Sequence, residues 1–417
     1  MNNMIRNRNV DQNDRLQKIV LFGHFGGGNF GNEVTLQTML TRMRQIFPRA
    51  QFSCICTFPN EVSEAYKIDA FPVSEVLVNQ WKYRDPITRW LRRFLVGVPS
   101  ELYRCWRGVR HLWSTDLFMI VGTGLLTDAY GLEGWGPYSL FKWTLLAKLC
   151  GSRIIFVSTG AGPITRPFGK ILVKAALSLA DFRSYRDEAS MKCLERIGFH
   201  HGEDRIYPDL AFSLSAGMLR VSNGSGRVVG LGVIEHHGIY GGAVLSDAQY
   251  ASYIEALTQL AVWLLDRGYD IRLLIGDISD TPVLHQLKAL IWERVGDIAE
   301  HRIRATPANS ADEVLRHLGE TDFVVATRFH NVLLALVLNK PSISISFHHK
   351  CSSLMSQMGL SEYCQDIQRL SAERLIDQFC QLEENAPRLE EMIRERTEEQ
   401  RRALDDQYRR IFQVLEA

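Results

Sequence analysis

The segment Thr327-Arg328-Phe329-His330 follows the apolar run Val324-Val325-Ala326 and leads straight into Val332-Leu333-Leu334-Ala335. A buried strand running into a helix would set Arg328, His330 and the first helical amides at one strand end, a placement that suits an anion. Arginine offers a planar fork to a carboxylate or phosphate. Imidazole titrates near neutrality and can exchange a proton with a reacting group. A lone histidine could equally be a core or cap residue, but its position two after Arg328 favours a functional reading. Lys350, after Phe347-His348-His349, ends the next expected strand and adds a positive charge there. His236 and His237 follow Glu235 in a similar position; without a third partner they read as ordinary cleft residues rather than metal ligands.

A second arginine, Arg186, comes directly after the expected strand at Asp181 to Tyr185 and is followed by Asp187 and Glu188. It could clamp an anion or form a surface pair with either neighbour. Asp209, in Tyr207-Pro208-Asp209-Leu210, could position a base or an arginine, or serve as a turn residue. Glycine turns accompany these groups. His24 to Glu33 contains Gly26, Gly28 and Gly31 in G-x-G-x-x-G spacing between an expected strand and helix, where backbone can approach a ligand. A dinucleotide site would also want an acidic residue ending the second strand, and that strand ends Cys56-Thr57-Phe58, which disfavours a nicotinamide cofactor. Gly122-Thr123-Gly124-Leu125-Leu126-Thr127-Asp128 and Thr159-Gly160-Ala161-Gly162-Pro163 end two further strands.

The elements that must position these groups are parallel βα units. Short β-branched runs alternate with segments of helical period, the pattern of an α/β fold. Strands are expected at Lys18 to Gly23, Gln51 to Thr57, Asp116 to Val121, Arg153 to Thr159 and Asp181 to Tyr185. The pattern restarts at Val228 to Ile234, Asp270 to Ile275, Asp322 to Ala326 and Ser342 to Phe347. Leu36, Met39, Leu40, Met43, Ile46 and Phe47 recur at helical spacing before Pro48. Ser310 and Glu313 form a capping-box pattern. The polar stretch Gly217 to Arg227 is the best linker. The expected organisation is a disordered lead-in at 1–17, Rossmann-like domains at 18–218 and 226–371, and C-terminal helices at 372–417 packing across both. Two doubly wound sheets facing across a cleft would place ligands at the carboxyl ends of the strands.

Bulk properties narrow the options. A chain of 417 residues is long enough for two cores, and its 46% hydrophobic and 23% charged composition is that of a globular protein. The formal net charge of +1 argues against a nucleic-acid binder. Eight cysteines without a CxxC pair argue against structural zinc and suit a reducing cytoplasm. Met1 to Gln17 lacks the apolar core of a secretory signal. Leu117 to Leu126 is the longest apolar run, about half of the ~20 residues a spanning helix needs. The basic, aromatic stretch Trp81, Lys82, Arg84, Arg89, Trp90, Arg92, Arg93 and Phe94 reads as a snorkelling helix, or as a contact with a membrane surface or lipid-linked acceptor.

Taken together, these junctions resemble the polysaccharide pyruvyl transferase family, whose members move pyruvate from phosphoenolpyruvate onto sugar hydroxyls and fold like GT-B-type glycosyltransferases. The resemblance covers most of residues 18–360. It rests on Asn29-Phe30-Gly31-Asn32-Glu33, Gly122 to Asp128, Ser184-Tyr185-Arg186-Asp187-Glu188 with Pro208-Asp209, and above all Thr327-Arg328-Phe329-His330 with Pro341 and Lys350. It implies that Arg186, Arg328 and His330 contact the donor with Asp209 nearby. Asn29, Gly31, Asn32, Glu33, Gly122, Gly124, Asp128 and Lys350 complete the expected substrate-binding set. It also implies phosphoenolpyruvate as donor, a saccharide or lipid-linked oligosaccharide acceptor, and no redox cofactor or obligatory metal. The expected location is the cytoplasm, at the inner membrane face if the basic aromatic stretch touches lipid. Oligomeric state is not legible. Two other readings stay open: a GT-B glycosyltransferase using a nucleotide sugar, and a catalytically silent carbohydrate-binding or scaffold protein.

Overall fold

A computed structural model of the protein describes residues 16–74, 93–129, 136–214, 227–235, 245–296 and 301–416. Most of the lead-in, residues 81–92 of the basic aromatic stretch, His236, His237 and nearly all of the expected linker lie outside the described residues.

Apolar β-branched runs without alternation build strands buried on both faces, as parallel sheets covered by helices require. The first sheet uses β1 (Lys18–Phe22), β2 (Gln51–Cys56), β3 (Asp69–Pro72), β4 (Leu117–Val121), β5 (Arg153–Thr159), β6 (Phe182–Tyr185) and β7 (Arg205–Ile206). Its order is β3-β2-β1-β4-β5-β6-β7, every pair parallel. Among the described helices are α1 (Phe30–Ile46), α2 (Pro59–Tyr66), α3 (Val98–Leu112), α4 (Pro137–Leu149), α5 (Pro167–Ser178) and α6 (Glu188–Arg196). The core between sheet and helices includes Phe22, Phe118, Ile120, Trp143, Phe156 and Tyr185.

The second sheet runs β10-β9-β8-β11-β12-β13. Its members are β8 (Val228–Gly232), β9 (Asp270–Leu274), β10 (Ile303–Arg304), β11 (Phe323–Ala326), β12 (Ser342–Ser346) and β13 (Cys364–Asp366), again all parallel. With them go α7 (Asp247–Asp266), α8 (Thr281–Val295), α9 (Ala311–Gly319), α10 (Phe329–Val337), α11 (His349–Gln357), α12 (Ala372–Glu384) and the 31-residue α13 (Ala386–Glu416). The strand order reverses between β1 and β4 and between β8 and β11, the switch points at which doubly wound sheets bind ligands.

The nine expected strands all form, within a residue or two of their expected ends. β3, β7, β10 and β13 were not expected; they have two to four residues each and lie at or near sheet edges. Two local expectations need correction. Ser310 accepts a hydrogen bond from Glu313 N as a cap, but the Glu313 carboxylate reaches the N–H of Asn309 rather than closing the box on Ser310. Lys350 does not end a strand: β12 stops at Ser346, and Lys350 lies in the first turn of α11.

Two compact units result. One comprises residues up to Gly27, Met39–Asp209 and Asp406 onward; the other comprises Gly28–Thr38 and Leu210–Asp405. The first turns of α1 therefore belong with the second sheet. Among the described residues no helix is long and apolar enough to cross a membrane.

Candidate functional site

In the second unit, β11 hands the chain to α10 with Arg328 as its N-cap, in extended backbone and without a side-chain cap of its own. Its guanidinium is turned onto Asp280: Nε lies 2.9 Å from Oδ2, and Nη2 lies 2.5 Å from Oδ1. Asp280 is fully buried and also accepts from the backbone N–H groups of Glu235, Gly276 and Asp277. Burial drives this carboxyl above the ordinary carboxylate range, and Arg328 and the Glu235 N–H act against it. The pair is thus a guanidinium held in one orientation by a carboxylate saturated with donors. Gly276 must be glycine for this geometry, because a Cβ there would stand 2.9 Å from Arg328 Cβ.

The loop that carries Asp280 is stitched to the start of α1. The Phe30 N–H donates to Gly276 O, and the Ile278 N–H donates to Gly28 O. Asn29 Nδ2 donates to Asp277 Oδ2 at 3.1 Å, while its Oδ1 accepts from the Asn32 N–H as an N-cap would. His330, on the first turn of α10, lies against Gly31: a Cβ on Gly31 would fall 1.9 Å from the imidazole Nδ1. Two motifs separated by about three hundred residues of sequence are therefore one structural corner, and Gly31 is the space in which the imidazole sits. Tyr253 steadies the junction from behind, sharing a hydrogen bond with the Thr327 hydroxyl and accepting from the Ile234 N–H. Asn331 is buried beside Gly232 and Gly276, and neither polar atom of its amide has a partner among the described residues. At the carboxyl ends of β12 and β13 a cavity of about 500 Å³ is lined by Ser346, His348, His349, Cys364 and Asp366, among others.

In the first unit, Arg186 follows β6 and places Nη1 3.2 Å from Asp209 Oδ2, with Nε 3.7 Å from Asp187 Oδ2. Its Nη2 lies over Gly160, 2.9 Å from where a Cβ would be, and the Gly124 Cα flanks the same space. The Gly160 N–H donates to Thr123 O, so the turns after β4 and β5 lock together beneath the guanidinium. β5 reaches this turn through an irregularity at which Ser158 takes φ 46°, a left-handed conformation that a non-glycine residue adopts only at a cost. Gln407 of α13 supports the irregularity, donating to the hydroxyls of both Ser158 and Ser184. Asp187 caps α6 through Ser190, whose hydroxyl accepts from the Ala161 N–H.

The sequence-derived residues thus fall into two corners. Asn29, Gly31, Asn32, Glu33, Arg328 and His330 belong to the second unit, with Lys350 on α11. Arg186, Asp209, Gly122, Gly124 and Asp128 belong to the first. Asp128 has a structural employment: its Oδ2 accepts from the N–H groups of Thr165 and Arg166 ahead of α5. Sequence reasoning missed Asp280, Tyr253 and Asn331 as site residues, while the turn at Gly160 was among the expected ligand-approach turns. Asp280 carried a usable signal, since it closes the polar run Gly276-Asp277-Ile278-Ser279-Asp280 directly after an expected strand. Among the described residues no group of three or more His, Cys, Asp or Glu side chains is gathered to hold a metal.

Two all-parallel doubly wound sheets, each bearing an arginine at a strand end, define a GT-B-like α/β protein. Solved structures agree on the fold. A putative UDP-N-acetylglucosamine 2-epimerase from Listeria monocytogenes aligns with a TM-score of 0.59 at 10% identity, covering 90% of both chains. A glycosyltransferase from Rickettsia africae aligns with a TM-score of 0.53 at 12% identity, covering 96% of this chain and 99% of that one. The chain belongs to the polysaccharide pyruvyl transferase family, whose model matches residues 29–349. It is also similar to the amylovoran biosynthesis protein AmsJ of Erwinia amylovora, at 18% identity over 92% of this chain and 96% of that protein.

Proposed function

We propose that the chain transfers pyruvate from phosphoenolpyruvate to two hydroxyls of a sugar in polysaccharide biosynthesis, forming a ketal. The observation that carries this reading is the Arg328–Asp280 clamp beside His330 at the start of α10. Phosphoenolpyruvate presents a carboxylate and a phosphate, and a preoriented arginine with helix amides suits such a dianion without reorganisation during the reaction. The second unit is assigned the donor, with Lys350 as a further cation and the Asn331 amide as an orienting group. The first unit is assigned the acceptor side through Asp209 and the glycine turns at Gly122 and Gly124. Arg186 is the second arginine assigned to anionic groups of the reactants.

In the proposed reaction, C3 of the donor gains a proton as a sugar hydroxyl oxygen bonds to C2 and loses its own proton. The C2–O bond to phosphate breaks, and a second hydroxyl then closes the ketal and releases another proton. His330 is assigned the proton transfers. This chemistry requires no redox cofactor and no obligatory metal. The acceptor is a saccharide, free or lipid-linked, and the reading places the protein in the cytoplasm.

Thermal unfolding with added phosphoenolpyruvate tests the donor assignment, since a ligand that binds only the folded state raises the midpoint. The wild type should shift, and Lys350→Ala and Arg328→Ala should each shift less relative to their own unliganded midpoints. A shift with nucleotide sugars and none with phosphoenolpyruvate would replace this reading with glycosyl transfer on the same fold.

A further inference from the structure

Helix α3 is built inside out. Its acidic residue turns toward the protein: Glu101 accepts from Arg104, from the Tyr138 hydroxyl and from the buried Lys142, the last two on α4. Burial would raise the Glu101 carboxyl, but these hydrogen bonds overrule it and bring it below its usual range. Its charge is neutralised internally. Further along, His111 stacks on Phe71, and Gly108 lets the helix approach Leu146 and Trp143. The orientation is therefore fixed by packing.

The opposite arc faces solvent and is apolar. Leu95, in the turn that leads into α3, and Val98, Leu102, Tyr103 and Trp106 on the helix are between 45% and 71% exposed. Their spacing puts them on one side of a 3.6-residue helix. The Arg110 guanidinium lies 5.0 Å from the Trp106 ring centre at the edge of this arc. Glu101 is the only acidic residue between Arg93 and Trp113, against Arg93, Arg104, Arg107 and Arg110. Two helices along, α5 exposes Phe168 and Ile171 near Arg166 and Lys170.

We propose that this face of the first unit docks on an anionic lipid surface, with α3 lying in the interface. Tryptophan, tyrosine and leucine on one arc with arginines at its border is the composition of an interfacial amphipathic helix. The charge selects the occupant. A second copy meeting this arc about a two-fold axis would set arginine against arginine. Phosphate headgroups complement it, and each basic residue near an anionic leaflet adds to the attraction.

Vesicle flotation tests the proposal independently of the reaction the protein catalyses. The full chain should float with phosphatidylglycerol–phosphatidylcholine vesicles and far less with phosphatidylcholine alone. Leu102→Ser with Trp106→Ser should lower the partition by roughly tenfold or more. Arg107→Gln with Arg110→Gln should bring it toward the value for neutral vesicles. Unchanged thermal unfolding of the variants confirms that the surface, not the fold, was altered. Wild-type protein that stays at the bottom with anionic vesicles overturns the proposal. So does a serine variant that floats as well as wild type, or a dimer in sedimentation that the serine variant abolishes.

Discussion

Two arginines each follow a strand of a parallel sheet, yet they are held differently. Arg328 is fastened through two guanidinium nitrogens to a fully buried carboxylate 48 residues away in sequence. Arg186 meets Asp209 at 3.2 Å and Asp187 at 3.7 Å, and Asp187 is also engaged in capping α6. The first arrangement is a preorganised clamp whose orientation is determined before a ligand arrives. In the second, an equally buried guanidinium rests on a floor of glycine backbone, with Asp209 and Asp187 at its side. The contrast teaches that a guanidinium at a strand end can be oriented by a carboxylate that backbone donors hold in place, or by the packing of two glycine turns.

The largest expected effect separates the two arginines by stability. Arg328→Ala leaves Asp280 buried and unpaired and should cost about 3–5 kcal/mol in urea unfolding. Arg186→Ala also strands a buried carboxylate, Asp209, but removes only one 3.2 Å contact to it, and should cost less, about 2–3 kcal/mol. Pyruvyl transfer should fail in both. Equal destabilisation would break the comparison.

Glycine substitutions sharpen it at the next level. Gly31→Ala forces a Cβ into the His330 ring and should lower stability by about 1–3 kcal/mol and turnover by at least about tenfold, because the imidazole must move. Gly160→Ala meets only the flexible end of Arg186 and should cost less than about 1 kcal/mol while raising KM more than it lowers kcat.

Acid should weaken the second unit through His317 on α9. Burial, and then Arg272 and Arg316, push this imidazole down to about 4 from its ordinary value. The unfolded chain binds the proton more readily, so the stabilisation is complete above pH ~6.5 and is lost as pH falls toward 4. A loss on the order of 2 kcal/mol across that window, flattened in His317→Gln, is the expected unfolding profile.

The smallest effect tests the support of the first corner. Gln407→Ala removes two hydrogen bonds beneath the β5 irregularity and should cost about 1 kcal/mol. Its signature would be a change in KM in the same direction as that of Arg186→Ala, but smaller.

Much of this was legible beforehand. Strands such as Leu117–Val121 and Phe323–Ala326 declared themselves because a strand covered on both faces needs an unbroken apolar run, while Ser342–Ser346 did so through β-branched residues alternating with small serines. Edge strands did not: Arg205–Ile206 is exposed and Asp69–Pro72 at most half-buried, and neither bears a periodic signal. Arg328 and His330 were visible because they interrupt an apolar strand–helix junction with polar chemistry. Asp280 was not singled out: its place at the end of a polar run after a strand marks it as a candidate, but does not tell a loop aspartate that caps a turn from one that anchors an arginine.

The sequence by itself determined the parallel α/β class and which strand ends carry arginine, histidine and glycine, because apolar periodicity and residue type are local properties of the chain. Only the tertiary structure decided that Gly31 makes room for His330, that Arg328 is clamped by Asp280, and that α3 turns its apolar arc outward. Each of these is a contact between segments far apart in sequence or a choice of which helix face is buried, and packing settles both.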